Sequence, residues 1–447
     1  MIDRDAAWVA EAAGCHLLTG ERGAGGPERA VIDTRELAPG DLFVGLRGSR
    51  VDGGRFAAQA FEAGAWGVLV DEQRAASLES ERPVLAAKDP LEALQRLARG
   101  WRRELGCKVV AVTGSTGKTT TKDILAALLR PRLETHANRE NLNTEIGLPL
   151  SILEASRGVE AMALEMAMRG PGQIAELTAI AEPDVGVVLN VGPVHLELLG
   201  TVERVAAAKA ELIRDLPRGA ACVVPEGEPL LEAHLRDDLD TWTFGPGGQV
   251  WLRTFKDGLA TIEARGEQIE LGLPFSEAHN VLNTLAAVAA ACALGVHPAG
   301  ALEVRFSSLR GEEIELPGGV TLVNDCYNAN PMSMRAALDH LAASPADRRI
   351  AVLGTMAELG EDSLRFHREI GAYAAGRGVD VLVTVGREAL GYLDGFPGEH
   401  HAVATPEEAA ALLEGLLEQG DRVLLKGSRS VGLERVLPAR EAWGARG

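Results

Sequence analysis

Apolar and polar positions follow one recurring pattern along this chain. A short β-branched run gives way to a polar or glycine-bearing turn, then to apolar residues at helical spacing. The clearest instance starts at Val109. Val109-Val110-Ala111-Val112 predicts a buried strand, Gly114 to Gly117 a turn, and Lys122 to Leu129 a helix. Upstream, residues 1–88 predict a small α/β unit with strands over 42–46 and 66–70 and a helix over 55–63. Leu91, Leu94, Leu97 and Trp101 recur at helical spacing, which predicts a linking helix over 89–106 with Trp101 in the core.

The pattern continues downstream. Apolar runs over 161–164 and 183–189 predict two more buried strands, the first ending in Glu165 and the second leading to His195. A single helix is expected over 201–213, capped by Thr201. Residues 219–272 read as strands and hairpins, and 276–295 as an Ala-rich buried helix. From Glu312 onward, strands over 320–323, 349–353, 379–385 and 422–425 alternate with helices, the first capped by Ser333. Such alternation predicts a second parallel sheet. The expected class is α/β with three domains: 1–88, a linking helix 89–106, a central phosphate-binding-loop domain 107–311 and a Rossmann-like domain 312–447.

Composition narrows the function classes. The 447 residues carry a formal net charge of −19, the wrong sign for general binding to nucleic-acid backbones. Five scattered cysteines without a C-x-x-C pair argue for reduced thiols and a cytoplasmic setting. No apolar run reaches the length of a membrane span, and no signal peptide is visible.

The candidate chemistry centres on Thr113-Gly114-Ser115-Thr116-Gly117-Lys118-Thr119-Thr120. Strand, glycine turn, Gly-Lys-Thr and helix make a phosphate-binding loop, with backbone N–H groups and the helix dipole favouring an anion. Lys118 is expected to reach the outer phosphates, and the Thr119 hydroxyl a Mg²⁺ ion. Glu165, at the tip of a neighbouring strand, is placed like an acidic metal-site residue. His195 follows a third strand of the same pattern, where carboxyl ends face the site. Lys209 sits among alanines that leave it room to point inward, although a solvated lysine fits as well. Asn280 and Asn283 share one helix face and are candidates to bond a base or to cap the helix. Thr34, Arg35, Arg47, Ser49 and Asp52 cluster in turns, where ordinary turn chemistry accounts for them as well as ligand contact does.

Taken in order, these landmarks resemble those of the Mur ligases, over essentially the whole chain. The shared marks are T-G-x-x-G-K-T-T at 113–120, the Glu165-ended strand, N-V-G-x-x-H at 190–195, A-x-x-K at 206–209 and H-N-x-x-N at 279–283. Tyr327-Asn328-Ala329-Asn330-Pro331 and Gly354-Thr355-Met356-Ala357-Glu358-Leu359-Gly360 point to the members that add a dipeptide. The resemblance implies an ATP-dependent ligase joining D-alanyl-D-alanine to UDP-N-acetylmuramoyl-tripeptide through an acyl phosphate, working as a monomer. It assigns Gly114, Ser115, Thr116, Gly117, Lys118, Thr119, Thr120, Asn280, Asn283, Arg310 and Asp325 to ATP. Thr119 and Glu165 would hold one Mg²⁺; His195 and a carbamylated Lys209 would help to hold a second. Thr34, Arg35, Ser49, Asp52 and Gly53 would take the uridine diphosphate. Asn141, Tyr327, Asn328, Asn330, Lys426 and Arg429 would meet the peptide substrates. The chain departs from the family pattern at Gly54, Thr144, Val223-Val224-Pro225-Glu226, Glu277-Ala278 and Thr355.

Two other readings remain at this level. One is a different Mur-type or folylpolyglutamate-type amino-acid ligase. The other is a nucleotide-binding switch, although no N-K-x-D base-reading motif is present.

Overall fold

The computed structural model describes residues 1–20, 25–48, 51–139, 141–307 and 309–437. Three sheets follow one another along the chain, and each gathers the ends of parallel strands. The first has five strands, with Val84–Ala87 and Gly67–Asp71 central and His16–Thr19 antiparallel at one edge. Its strand over 42–46 is shorter than the apolar run suggested, ending at Val44, and the expected helix over 55–63 opens as a 3-10 turn at Gly53–Phe56.

The linking helix runs from Pro90 to Leu105, with Asp89 as its cap: the Asp89 carboxylate accepts from Leu91 and Glu92 N–H. Trp101 is buried, and its indole N–H donates to Ala155 O at 2.8 Å. Arg102 donates to Ala181 O at 2.9 Å and to Glu182 O at 2.7 Å, while Arg99 and Arg103 both pair with Glu182. This helix is therefore fastened to the second sheet by apolar packing and by guanidinium bonds to a helix C-terminus, where cations are favoured.

The second sheet has ten strands. Lys108–Thr113 lies between Ala161–Glu165 on one side and Val185–Val188 on the other, all parallel. The strand order reverses at Lys108–Thr113, so a crevice forms at the carboxyl ends there. Two helices cover this face: Lys118–Leu129, which starts one turn before the expected Lys122, and the Ala-rich Ala278–Ala293. Alanine brings the second helix close to the first without side chains in the way.

The expected single helix over 201–213 is two: Val202–Lys209 and Glu211–Asp215, broken at Ala210. Just past the break, the Glu211 carboxylate accepts from Gly172 N at 2.6 Å and Ala175 N at 3.0 Å and so caps a neighbouring helix.

The third sheet orders Glu312–Leu316, Val320–Asp325, Asp421–Lys426, Arg348–Gly354, Val381–Val385 and Glu399–Val403, parallel except for the first pair. Its first helix begins at Pro331, capped by Asn330; Ser333 is the reciprocal partner in the capping box and not the cap. No helix among the described residues is long and apolar enough to cross a membrane.

Candidate active site

The phosphate-binding loop is held from two sides. Gly117 has φ +82°, a left-handed conformation suited to glycine, and a Cβ there would meet Asn283 Oδ1 at 2.5 Å. On the other side, Asn190 Oδ1 accepts from both Ser115 N and Thr116 N at 3.0 Å, and Asn190 Nδ2 donates to Thr116 O. Ser115 Oγ accepts from Gly192 N at 2.9 Å. Two of the amides expected to face phosphate therefore belong to Asn190. The donors left for an anion are those at the helix start, because Gly117, its cap, supplies no side-chain bond.

Behind the loop lies a buried carboxylate. Thr119 Oγ1 donates to Glu165 Oε2 at 2.6 Å, and Asn143 Nδ2 donates to Glu165 Oε1 at 2.8 Å. Asn138 fixes the strand end by accepting from Glu165 N and donating to Glu165 O. A hydroxyl and a carboxylate with both oxygens held are hard donors suited to Mg²⁺. No group of three or more His, Cys, Asp or Glu side chains able to hold a metal ion occurs among the described residues.

Lys118 Nζ donates to Gly114 O at 3.0 Å. Burial lowers its pKa, Glu165 opposes that shift and Arg310 adds to it. Lys209 is almost fully buried, and burial pushes its pKa well below the usual lysine value; the nearby cation Lys118 pushes the same way. Lys209 does not line the cleft itself.

The cleft, about 530 Å³, lies between the second and third sheets. Of the expected residues, Ser115, Lys118, Thr119, Asn141, His195, Arg310, Tyr327, Asn328, Asn330 and Arg429 line it. Asn330 Nδ2 donates to Ser115 O at 3.4 Å, so the third sheet touches the loop directly. The Arg310 guanidinium stacks over the Tyr327 ring at 4.1 Å, and its buried Nε has no partner. Arg169, Ser307, Glu358 and Ser428 also line the cleft; the sequence marked only Glu358, as part of the stretch 354–360, and gave none of them a role. His195 Nδ1 is paired with Glu358 Oε2, and this bond is the leading cause of a lowered Glu358 pKa.

Other expected residues sit elsewhere. Lys426 is buried and donates to Asp325 Oδ2 at 2.6 Å and Asn328 O at 3.0 Å, so it props the tyrosine–asparagine loop from behind. Neither Lys426 nor Asp325 lines the cleft. Asn283 is packed under Gly117, and Asn280 Nδ2 donates to Glu277 Oε2 at 3.3 Å. Gly114, Thr116 and Gly117 form the loop itself, and Thr120 lies in the first turn of the helix that follows. In the first sheet, the Arg35 guanidinium folds onto Asp33, and Asp52 accepts from Arg74 and Gly54 N. Thr34 and Gly53 stand in the adjoining turns. None of these lines the main cleft, and Ser49 lies outside the described residues.

Three family models cover most of the chain: Mur ligase family, catalytic domain, over residues 30–102; Mur ligase middle domain over 112–291; and Mur ligase, glutamate ligase domain, over 309–429. A curated relative from Bacillus subtilis, UDP-N-acetylmuramoyl-tripeptide–D-alanyl-D-alanine ligase, is 35% identical over 419 residues, 91% of each chain. The chain belongs to the Mur ligase family. The Synechocystis sp. enzyme of the same name is 37% identical, over 91% of this chain and 90% of its own. Among solved structures, MurF from Acinetobacter baumannii superposes with a TM-score of 0.86 at 29% identity, covering 97% of each chain. MurF from Thermotoga maritima in complex with ADP gives 0.80 at 34% identity, covering 91% of this chain and 96% of its own. The three-sheet α/β architecture is thus that of these Mur ligases.

Proposed function

We propose that this Mur ligase joins D-alanyl-D-alanine to UDP-N-acetylmuramoyl-tripeptide at the expense of ATP, acting as a monomer in the cytoplasm. Relatives that carry this name match nine-tenths of the chain. One observation carries the reading: the Tyr327–Asn330 loop of the third sheet meets the phosphate-binding loop across a single cleft, through Asn330 and Ser115. A nucleotide's terminal phosphate and a second substrate then share one space, from which water must be kept if an acyl phosphate is to survive.

Three units divide the work: 1–88 for the uridine diphosphate end, 107–311 for ATP and 312–447 for the dipeptide, with 89–106 as the link. In the first unit Arg35, Arg47 and Arg74 are each paired with a carboxylate, of Asp33, Asp71 and Asp52. Lys118 and Arg310 counter the charge that develops on the transferred phosphoryl group. The tripeptide carboxylate attacks the γ-phosphorus and ADP leaves. The dipeptide amine then attacks the acyl carbon, loses a proton, and inorganic phosphate departs through a tetrahedral intermediate. Thr119 and Glu165 would hold Mg²⁺, which supplies charge neutralisation at the phosphates. His195 and Lys209 are assigned to a second Mg²⁺. Lys209 suits carbamylation because a buried amine with a depressed pKa is the neutral nucleophile that CO₂ requires. The carbamate would turn an unwanted buried cation into an anionic ligand. Asn280 and Asn283 are assigned to the adenine end. Asn141, Tyr327, Asn328, Asn330 and Arg429 are assigned to the peptide ends.

The test is phosphate release from ATP with each component omitted in turn, and product mass. Release that needs both the tripeptide nucleotide and the dipeptide, with a pentapeptide product, is expected. Release with a single amino acid in place of the dipeptide would replace this reading with that of another ligase. Hydrolysis indifferent to both acceptors would favour a switch.

A further inference from the structure

Among its described lining residues the cleft has a single carboxylate, Glu358, on the third-sheet wall. A lone acid in a cleft for polyphosphate repels its ligand unless both oxygens are engaged elsewhere. They are, and by the opposite wall. Oε2 pairs with His195 Nδ1, and Oε1 faces Arg169 Nε at 3.5 Å. The backbone joins in, since Glu197 N donates to Glu358 O at 3.2 Å. Beside it, a Cβ on Gly360 would meet Glu197 Cα at 3.2 Å, so the loop lies flush against the helix Leu196–Leu199. Both partners hold left-handed backbones, φ +54° at His195 and +62° at Glu358. Non-glycine residues keep such conformations where the surroundings enforce them.

We infer that Glu358 is a positioning residue delivered by the third sheet. It holds the His195 ring through Nδ1, fixes the Nδ1–H tautomer and leaves Nε2 as the ring's free acceptor toward the cleft. A carboxylate behind a histidine sets both its tautomer and its orientation. His195 is then set for its work only when the loop bearing Glu358 is docked. This couples the joining of the two walls to the readiness of one side chain. Its kinetic consequence rests on the ligase reading above; its spectroscopic consequence does not.

The test uses full-length protein labelled with ¹⁵N-histidine, without metal, in wild-type, Glu358→Ala and Glu358→Gln forms; Glu358→Gln keeps a carbonyl that can accept from Nδ1. His195→Gln assigns the ring signals. Expected is an Nδ1–H signature for His195 in the wild type that is lost in Glu358→Ala, with kcat lower by about tenfold or more. The ATP KM should stay within about twofold, and Glu358→Gln should fall between the two in kcat. Ring signals unchanged in Glu358→Ala, or a kcat within twofold of wild type, would overturn the inference. If the wild type shows no ligase turnover, the ligase reading has failed and the ring signals alone decide the pairing.

Discussion

The Thr119 hydroxyl donates to Glu165 Oε2 at 2.6 Å, joining the first turn of the phosphate-loop helix to the tip of the adjacent strand. Glu165→Gln keeps the size of this group and removes its charge. Turnover should fall by about a hundredfold or more, since charge neutralisation at the phosphates supplies several kcal/mol. Glu165→Ala should also lose stability, about 1–3 kcal/mol, because the buried Asn143 amide loses its acceptor. Steady-state kinetics against Mg²⁺ concentration, with melting curves, separate the two effects. An unchanged Mg²⁺ dependence in Glu165→Gln would remove the metal assignment.

Lys209 gives a pH prediction. Its folded pKa lies below the unfolded value of about 10.4. Between the two, the unfolded chain binds a proton that the folded chain does not, so stability drops as pH falls through that window. Lys209→Met escapes this loss. In CO₂-free buffer its melting temperature should gain on wild type as pH is lowered from about 10.4 toward neutrality. Its turnover should be lost at every pH. Bicarbonate should raise wild-type activity and leave Lys209→Met unaffected; no response in the wild type would dismiss the carbamate.

Gly117→Ala meets two obstacles, a left-handed φ and Asn283 Oδ1 at 2.5 Å. The backbone cost alone is about 1–2 kcal/mol. ADP affinity, measured by calorimetric titration, should weaken by about tenfold or more. Binding as tight as wild type would show that the loop tolerates another shape.

The buried Lys426 and the partly exposed Asp325 form a pair whose loss from one side strands a charge. Asp325→Ala should cost about 2–3 kcal/mol, toward the lower end for such pairs because Asp325 retains some solvent. The double variant with Lys426→Met should recover part of that loss. Chemical denaturation of the four proteins measures the coupling. A double variant no better than Asp325→Ala would argue that Lys426 acts on substrate and not as a prop.

What the sequence made legible was local. Lys118, Thr119, Glu165 and His195 each follow a short apolar run, and parallel strands send such ends to one edge. Edge strands were hidden for the converse reason. Glu312–Leu316 and Glu399–Val403 are largely exposed and carry no apolar run to mark them. Asn190 stands inside the marked stretch 190–195, but nothing in spacing says that it clamps loop amides, or that Asn143 holds a carboxylate. Glu358 meets His195 across 163 positions of chain, a separation no periodicity encodes. Nor does any local pattern show that Glu211, just past the break at Ala210, caps a helix elsewhere.

The fastening of the helix Pro90–Leu105 to the second sheet has a consequence for substrate choice. Trp101, Arg99, Arg102 and Arg103 tie this helix to the second sheet, and Leu94 and Leu97 share a core with Leu42, Leu69 and Leu85 of the first. The turn at Arg35 and the phosphate loop at Lys118 are thus held at a set spacing. On the proposed reading, that spacing works as a ruler. One end grips the nucleotide sugar, and the other accepts only a carboxylate that reaches it, so the enzyme gauges the length of the peptide before the dipeptide is joined.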